Sequence, residues 1–158
     1  MSLEDESAPE FTLESTAGEE VTLSDSLEDG PAVVVVNRGH WCSFCAEQLK
    51  TFSEVSYDLW FHENVDILPI VTSPLGKLTE MRDRYDLDIQ LLADPDGEVA
   101  DQYSGTEETS HGVTGISGVY VIDEEGTIRY EQVAEDFADR TYGNWVRYFI
   151  RNDFEDPV

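Results

Sequence analysis

Short alternating runs open the chain. Phe11-Thr12-Leu13 and Val21-Thr22-Leu23 flank Gly18, and their period of two predicts a hairpin. Ala32 to Val36 then runs without alternation between Gly30-Pro31 and Gly39. A continuous β-branched run of this length predicts a strand buried on both faces, as in the middle of a parallel sheet. From Cys42 to about Phe61, the residues Cys45, Leu49, Phe52, Val55 and Leu59 recur every three or four positions, which is a helical period. Val65 to Val71 predicts the next strand, and Pro74 to Tyr85 a helix with its proline in the first turn. Leu91-Leu92-Ala93 predicts a short strand, Asp94-Pro95-Asp96-Gly97 a turn, and Glu98 to Tyr103 a short helix. Ser104 to Gly118, with four glycines, reads as a long loop. Val119 to Asp123 and Thr127 to Val133 flank Glu124-Glu125-Gly126 as a second hairpin. Phe137, Thr141, Trp145, Tyr148 and Phe149 predict a last helix whose aromatic face is core. The order βα, βα, βα, ββ, α predicts an α/β sandwich whose central strand delivers the chain into the helix at Cys42.

At 158 residues without an internal repeat, the chain is one domain, placed here at residues 8–158 after a loose, polar segment 1–7. The charge changes the picture more than the length does. Thirty-five acids oppose nine cations, giving a formal net charge of −26. No basic stripe exists, which excludes nucleic acid and anionic membrane surfaces as partners. No apolar run approaches the roughly 20 residues of a membrane span. The acidic start Met1-Ser2-Leu3-Glu4-Asp5-Glu6 is unlike a secretory signal, so a cytoplasmic location is expected. Lys50 and Lys77 are the only lysines, and the acids are spread along the whole chain. This pattern resembles proteins of extreme halophiles. Self-repulsion at −26 opposes the compact state in dilute salt, and it fades where 1 M salt cuts the screening length to about 3 Å.

Both cysteines stand in Gly39-His40-Trp41-Cys42-Ser43-Phe44-Cys45, directly after the apolar strand and at the start of the long helix. A cysteine at a helix N-terminus has its thiolate favoured by unpaired N–H groups and the positive dipole end. The i, i+3 spacing puts the second sulfur one turn away, within reach of the first. No acid lies between Pro31 and Ala46, while Arg38 and His40 lie close by. Redox use of the pair competes with two other readings. Buried cysteines can act as small hydrophobes, and His40, Cys42 and Cys45 can hold zinc with His62 or His111 as a fourth ligand. Structural zinc usually joins two knuckles, and only one is present. In a reducing compartment a CxxC pair reads as redox-active.

Asn37-Arg38-Gly39-His40-Trp41-Cys42-Ser43-Phe44-Cys45 with Gln48-Leu49 resembles the Arg-Gly-x-Trp-Cys-x-x-Cys segment of peroxiredoxin-like members of the alkyl hydroperoxide reductase/thiol-specific antioxidant (AhpC/TSA) family. Ala8 to Leu13, Leu92 to Gly97 with Tyr103, and Val119 to Arg129 are similar to other stretches of that family. The resemblance implies a thioredoxin-like three-layer sandwich, a central mixed sheet flanked by helices, with an N-terminal β-hairpin. It also implies a cofactor-free thiol oxidoreductase cycling Cys42 and Cys45 between dithiol and disulfide, with electrons from an external, thioredoxin-like dithiol donor. The substrate is then a peroxide, or a protein disulfide in the thioredoxin manner. A non-catalytic redox sensor or binding module is the third possibility.

The chain departs from the family pattern at Ser117, which stands where thioredoxin-like proteins carry a cis-proline and near where peroxiredoxins carry an arginine. The family's threonine falls on Cys42 and its peroxidatic cysteine on Cys45, whereas position at the helix tip favours Cys42 as attacker. Arg38 is the candidate stand-in for the missing arginine. Trp41 is expected to cap the site and His40 to favour the thiolate. His62, His111 and Gln48 are expected on the surface.

Overall fold

The structure, a computed structural model, describes residues 2–136 and 139–155. Its centre is a five-stranded mixed sheet in the order β5-β4-β3-β8-β9, formed by Leu92–Ala93, Asp66–Val71, Ala32–Asn37, Gly118–Ile122 and Ile128–Val133. β3, β4 and β5 run parallel, and β8 and β9 are antiparallel additions. Every residue of β3 is buried, which explains its lack of alternation. Val33 and Val35 point into one core, and Ala32, Val34 and Val36 into the other. Three helices feed the first core: α2 (Ser43–Glu63), α3 (Leu75–Arg84) and α5 (Gly143–Arg151). α1 (Leu23–Ser26), α4 (Glu98–Gln102) and the hairpin of β1 (Thr12–Glu14) and β2 (Glu20–Thr22) cover the opposite face. These are the three layers of a thioredoxin-like fold. The hairpin at Gly18 takes the left-handed backbone (φ 87°) that its turn requires.

Four expectations are corrected. The described residues before Ala8, expected to be loose, are tied down. Asp5 N–H donates to Ile128 O at 2.8 Å, and Ile128 N–H to Glu6 O at 2.9 Å, so they lie along the edge of the second hairpin. The Ser104–Gly118 loop contains a two-stranded hairpin, β6 (Thr106–Thr109) with β7 (Gly112–Gly115). Its strands have four residues each, one all polar and the other bounded by glycines, too short to show a period. The last helix begins at Gly143 rather than Phe137, and Phe137 itself lies outside the described residues. Trp145 and Phe149 stack on each other with Tyr130 tilted against both, but Tyr148 is 60% exposed and not part of the core. Among the described residues, no helix is long and apolar enough to cross a membrane.

Candidate active site

β3 ends at Asn37, whose buried amide donates to Val35 O (2.9 Å) and Ile70 O (3.1 Å) and so ties the strand exit to β4. The chain then folds back on itself. A Cβ on Gly39 would lie 2.5 Å from Trp41 Nε1, so only glycine lets the indole take its position there. Cys42 is the N-cap of α2, and its sulfur accepts the Cys45 backbone N–H at 3.2 Å. Asn64 closes the other end of this 21-residue helix in the left-handed conformation. A helix of this length, without an acid in its first turn, aims its full dipole at the sulfur.

The two thiols are driven apart electrostatically. Cys42 is lowered from its usual value to about 6: the Cys45 thiol bonded to it acts most, followed by the Cys45 N–H and the charges of Arg140 and Arg38, against the opposing effect of burial. Cys45 is raised well above the usual range by burial first, then by the bond to Cys42 and its charge. At pH 7 a group with a midpoint near 6 is about nine-tenths ionised. Cys42 is therefore the thiolate and Cys45 the thiol. Both sulfurs are covered: Cys42 is 4% exposed and Cys45 fully buried.

Arg140 is the site residue that the sequence does not reveal. Its Nη2 donates to Cys42 Sγ at 3.7 Å across 98 residues of chain. Its Nη1 donates to Ser117 Oγ at 2.5 Å and to Gln48 Oε1 at 3.4 Å. Gln48, expected in solvent, is instead 2% exposed and donates to Thr141 O at 2.7 Å. The long helix thus holds the Arg140 segment from one turn beyond Cys45, and Tyr130 OH meets Thr141 Oγ1 at 2.9 Å beside it. Ser117 occupies the position expected for a proline or an arginine, and there its hydroxyl accepts from Arg140, which comes from another segment.

The other expected residues lie around this centre with different contacts. Arg38 sits 4.9 Å over the Trp41 ring, so it reaches Cys42 through charge rather than contact. His111, from the turn between β6 and β7, stacks on Trp41 with centroids 3.7 Å apart. His40 turns away: its Nδ1 and backbone N–H both meet Ser73 Oγ at 2.9 Å. Burial first, then the Lys77 charge, lowers its pKa from 6.5. A neutral imidazole adds no charge to the thiolate. His62 pairs with Asp58 at 3.4 Å, near the far end of α2. The zinc set is therefore not assembled, and among the described residues no group of three or more His, Cys, Asp or Glu is placed to hold a metal ion.

Comparison with known proteins bears on the family and the fold. The sequence model of the AhpC/TSA family matches residues 5–131. No curated protein matches the chain in sequence. Among solved structures, AhpC of Enterococcus faecalis superposes with a TM-score of 0.82 at 17% identity, over 98% of this chain and 94% of that one. Peroxidoxin BcpB of Mycobacterium tuberculosis gives 0.76 at 21% identity, over 88% and 90%. A putative protein disulfide isomerase of Bacteroides thetaiotaomicron gives 0.69 at 21% identity, over 98% and 94%. These likenesses establish the fold.

Proposed function

From the premise that the chain belongs to the AhpC/TSA family of thiol-dependent, peroxiredoxin-like oxidoreductases, we propose that it reduces peroxides by attack of Cys42 and resolution by Cys45. The contact of Arg140 with Cys42 Sγ carries this reading. A guanidinium beside a thiolate both holds the anion and offers N–H groups to the oxygens of a bound peroxide, where charge develops as the O–O bond breaks. The Cys42 thiolate attacks the terminal oxygen. An S–O bond forms, the O–O bond breaks, and the departing alkoxide or hydroxide takes a proton as alcohol or water. Cys42 is then a sulfenic acid. Loss of its negative charge removes one of the effects that raise Cys45. The Cys45 sulfur next attacks Cys42, releasing water and closing the disulfide. A thioredoxin-like dithiol restores both thiols and leaves as a disulfide.

Mixing the reduced protein with hydrogen peroxide in about 3 M KCl, where screening is strong, tests this through the fluorescence of Trp41 next to Cys42. A rate far above that of free cysteine, ending in a Cys42–Cys45 disulfide, is expected. A rate equal to free cysteine would transfer the activity to protein disulfides.

The acidic excess supports a salt-loaded cytoplasm as the working compartment. The ties between α2 and α5 include Arg147 and Arg151 on Asp58 at 3.1 and 3.0 Å. These solvent-accessible pairs contribute little against the repulsion of a net −26. The melting temperature is expected to rise between 0.1 and 3 M KCl, as read by circular dichroism. Superimposable melting curves would contradict a halophilic origin.

A further inference from the structure

The Trp41 ring meets two basic side chains. Arg38 lies 4.9 Å over it, and His111 stacks on it with centroids 3.7 Å apart and planes 10° from parallel. His111 comes from a hairpin turn that is itself built firmly. Its N–H donates to Thr109 Oγ1 at 3.1 Å, Thr109 Oγ1 donates to Gly112 O at 3.2 Å, and Gly112 takes the left-handed backbone (φ 87°). At the far end of β7, Thr114 and Gly115 are buried, and a Cβ on Gly115 would lie 3.1 Å from both Ala100 Cβ and Asn37 O. The hairpin is therefore seated on the body of the protein, although His111 itself is an exposed residue. Arg38 needs a fixture of this kind. Its backbone N–H acts on Cys45, and its charge is one of those that favour the Cys42 thiolate. Its guanidinium, however, ends a long flexible stem. Glu107 and Glu135 line the same cavity as Arg38, so a guanidinium released from the indole has carboxylates to turn to.

Resting on the reading of Cys42 as the attacker, we propose that His111 is a positioning residue: by stacking on Trp41 it keeps the Arg38 guanidinium over the indole and within electrostatic reach of Cys42. What the stack requires of His111 is a flat ring, since imidazole and indole meet face to face. Cys42 is also under the influence of Cys45 and Arg140. His40 and Asp96 share the wall of one cavity with His111, and Lys77 and Glu80 act on His40 from α3. All of these groups are kept in the variants that follow.

The test reads the thiolate absorbance of the reduced protein at pH 6, near the Cys42 midpoint, at the lowest KCl concentration that keeps the native circular dichroism spectrum. Low salt matters because screening hides a charge that acts at a distance. His111→Ala is expected to lower the thiolate signal about twofold, the loss that follows when a midpoint near 6 rises by about half a pH unit. His111→Phe, which keeps a flat ring, is expected to restore the unmodified signal. Arg38→Gln is expected to show the same loss as His111→Ala, and the double variant no more than either, because the two residues act in series. An unchanged signal in His111→Ala overturns the proposal, and so do losses that add in the double variant. A deficit in His111→Phe equal to that in His111→Ala also overturns it, assigning the effect to the imidazole's own charge. Rates with hydrogen peroxide at pH 6 are expected to fall in step with the absorbance. If peroxide reacts no faster than with free cysteine while the absorbance differences hold, the peroxidase reading falls and the positioning role stands.

Discussion

Cys42→Ser is expected to lower the rate of peroxide consumption about 10³-fold or more, toward the uncatalysed background. Cys45→Ser is expected to keep the first turnover and stop there, with one oxygen added to Cys42. The asymmetry follows from the site. Cys42 is the cap of α2 and accepts the N–H of Cys45. Cys45 is fully buried and its ionisation is opposed by its neighbour's charge. Family alignment alone favours the opposite order, with the attacking sulfur at Cys45. Trapping the sulfenic acid with a dimedone reagent, followed by peptide mass spectrometry, decides between them. Label on Cys42 in Cys45→Ser, and none in Cys42→Ser, is the expected outcome; the reverse pattern would make Cys45 the attacker.

What could be read in the chain was local. The β3 run, the α2 period and the Cys42–Cys45 spacing each lie within a few turns of sequence, and each has one physical reading. The β6–β7 hairpin was hidden because four-residue strands, one of them bounded by glycines, carry almost no periodicity. Gln48 was misplaced for a different reason. A polar side chain at a helical core position looks exposed until its partners, Thr141 O and Arg140, arrive from the segment before α5. Arg140 itself had no local signal. It follows Asp139 in an acidic stretch, where an arginine reads as an ordinary surface cation. Alignment with the family points to Ser117 and treats an arginine and its landing place as one position. Here they are two, joined by a hydrogen bond.

That separation leads to the second large effect. Arg140→Ala is expected to slow sulfenic acid formation about 10²-fold at pH 8, equivalent to ~2.7 kcal/mol, the size lost with one donor to a developing oxyanion. Its effect on thiol ionisation is expected to be smaller, because the Cys45 thiol and N–H rank ahead of Arg140 among the groups that lower Cys42. The pH profile separates these two roles. In the unmodified protein the rate is expected to rise through a midpoint near 6, as Cys42 loses its proton, and to be level by about pH 7.5. A lowered pKa of this kind places the reactive thiolate above the midpoint, so activity is lost on acidification and kept on the alkaline side. In Arg140→Ala the midpoint is expected to move up modestly while the plateau drops about 10²-fold. Cys45→Ala is expected to show the reverse weighting in the first step, with a larger rise in the midpoint and a smaller change in the plateau. Absorbance of the thiolate at pH values from 5 to 9, set against the oxidation rate at each pH, measures both quantities on the same samples. If the Arg140→Ala plateau stays at the unmodified level, the guanidinium only holds the thiolate and does not assist the breaking O–O bond.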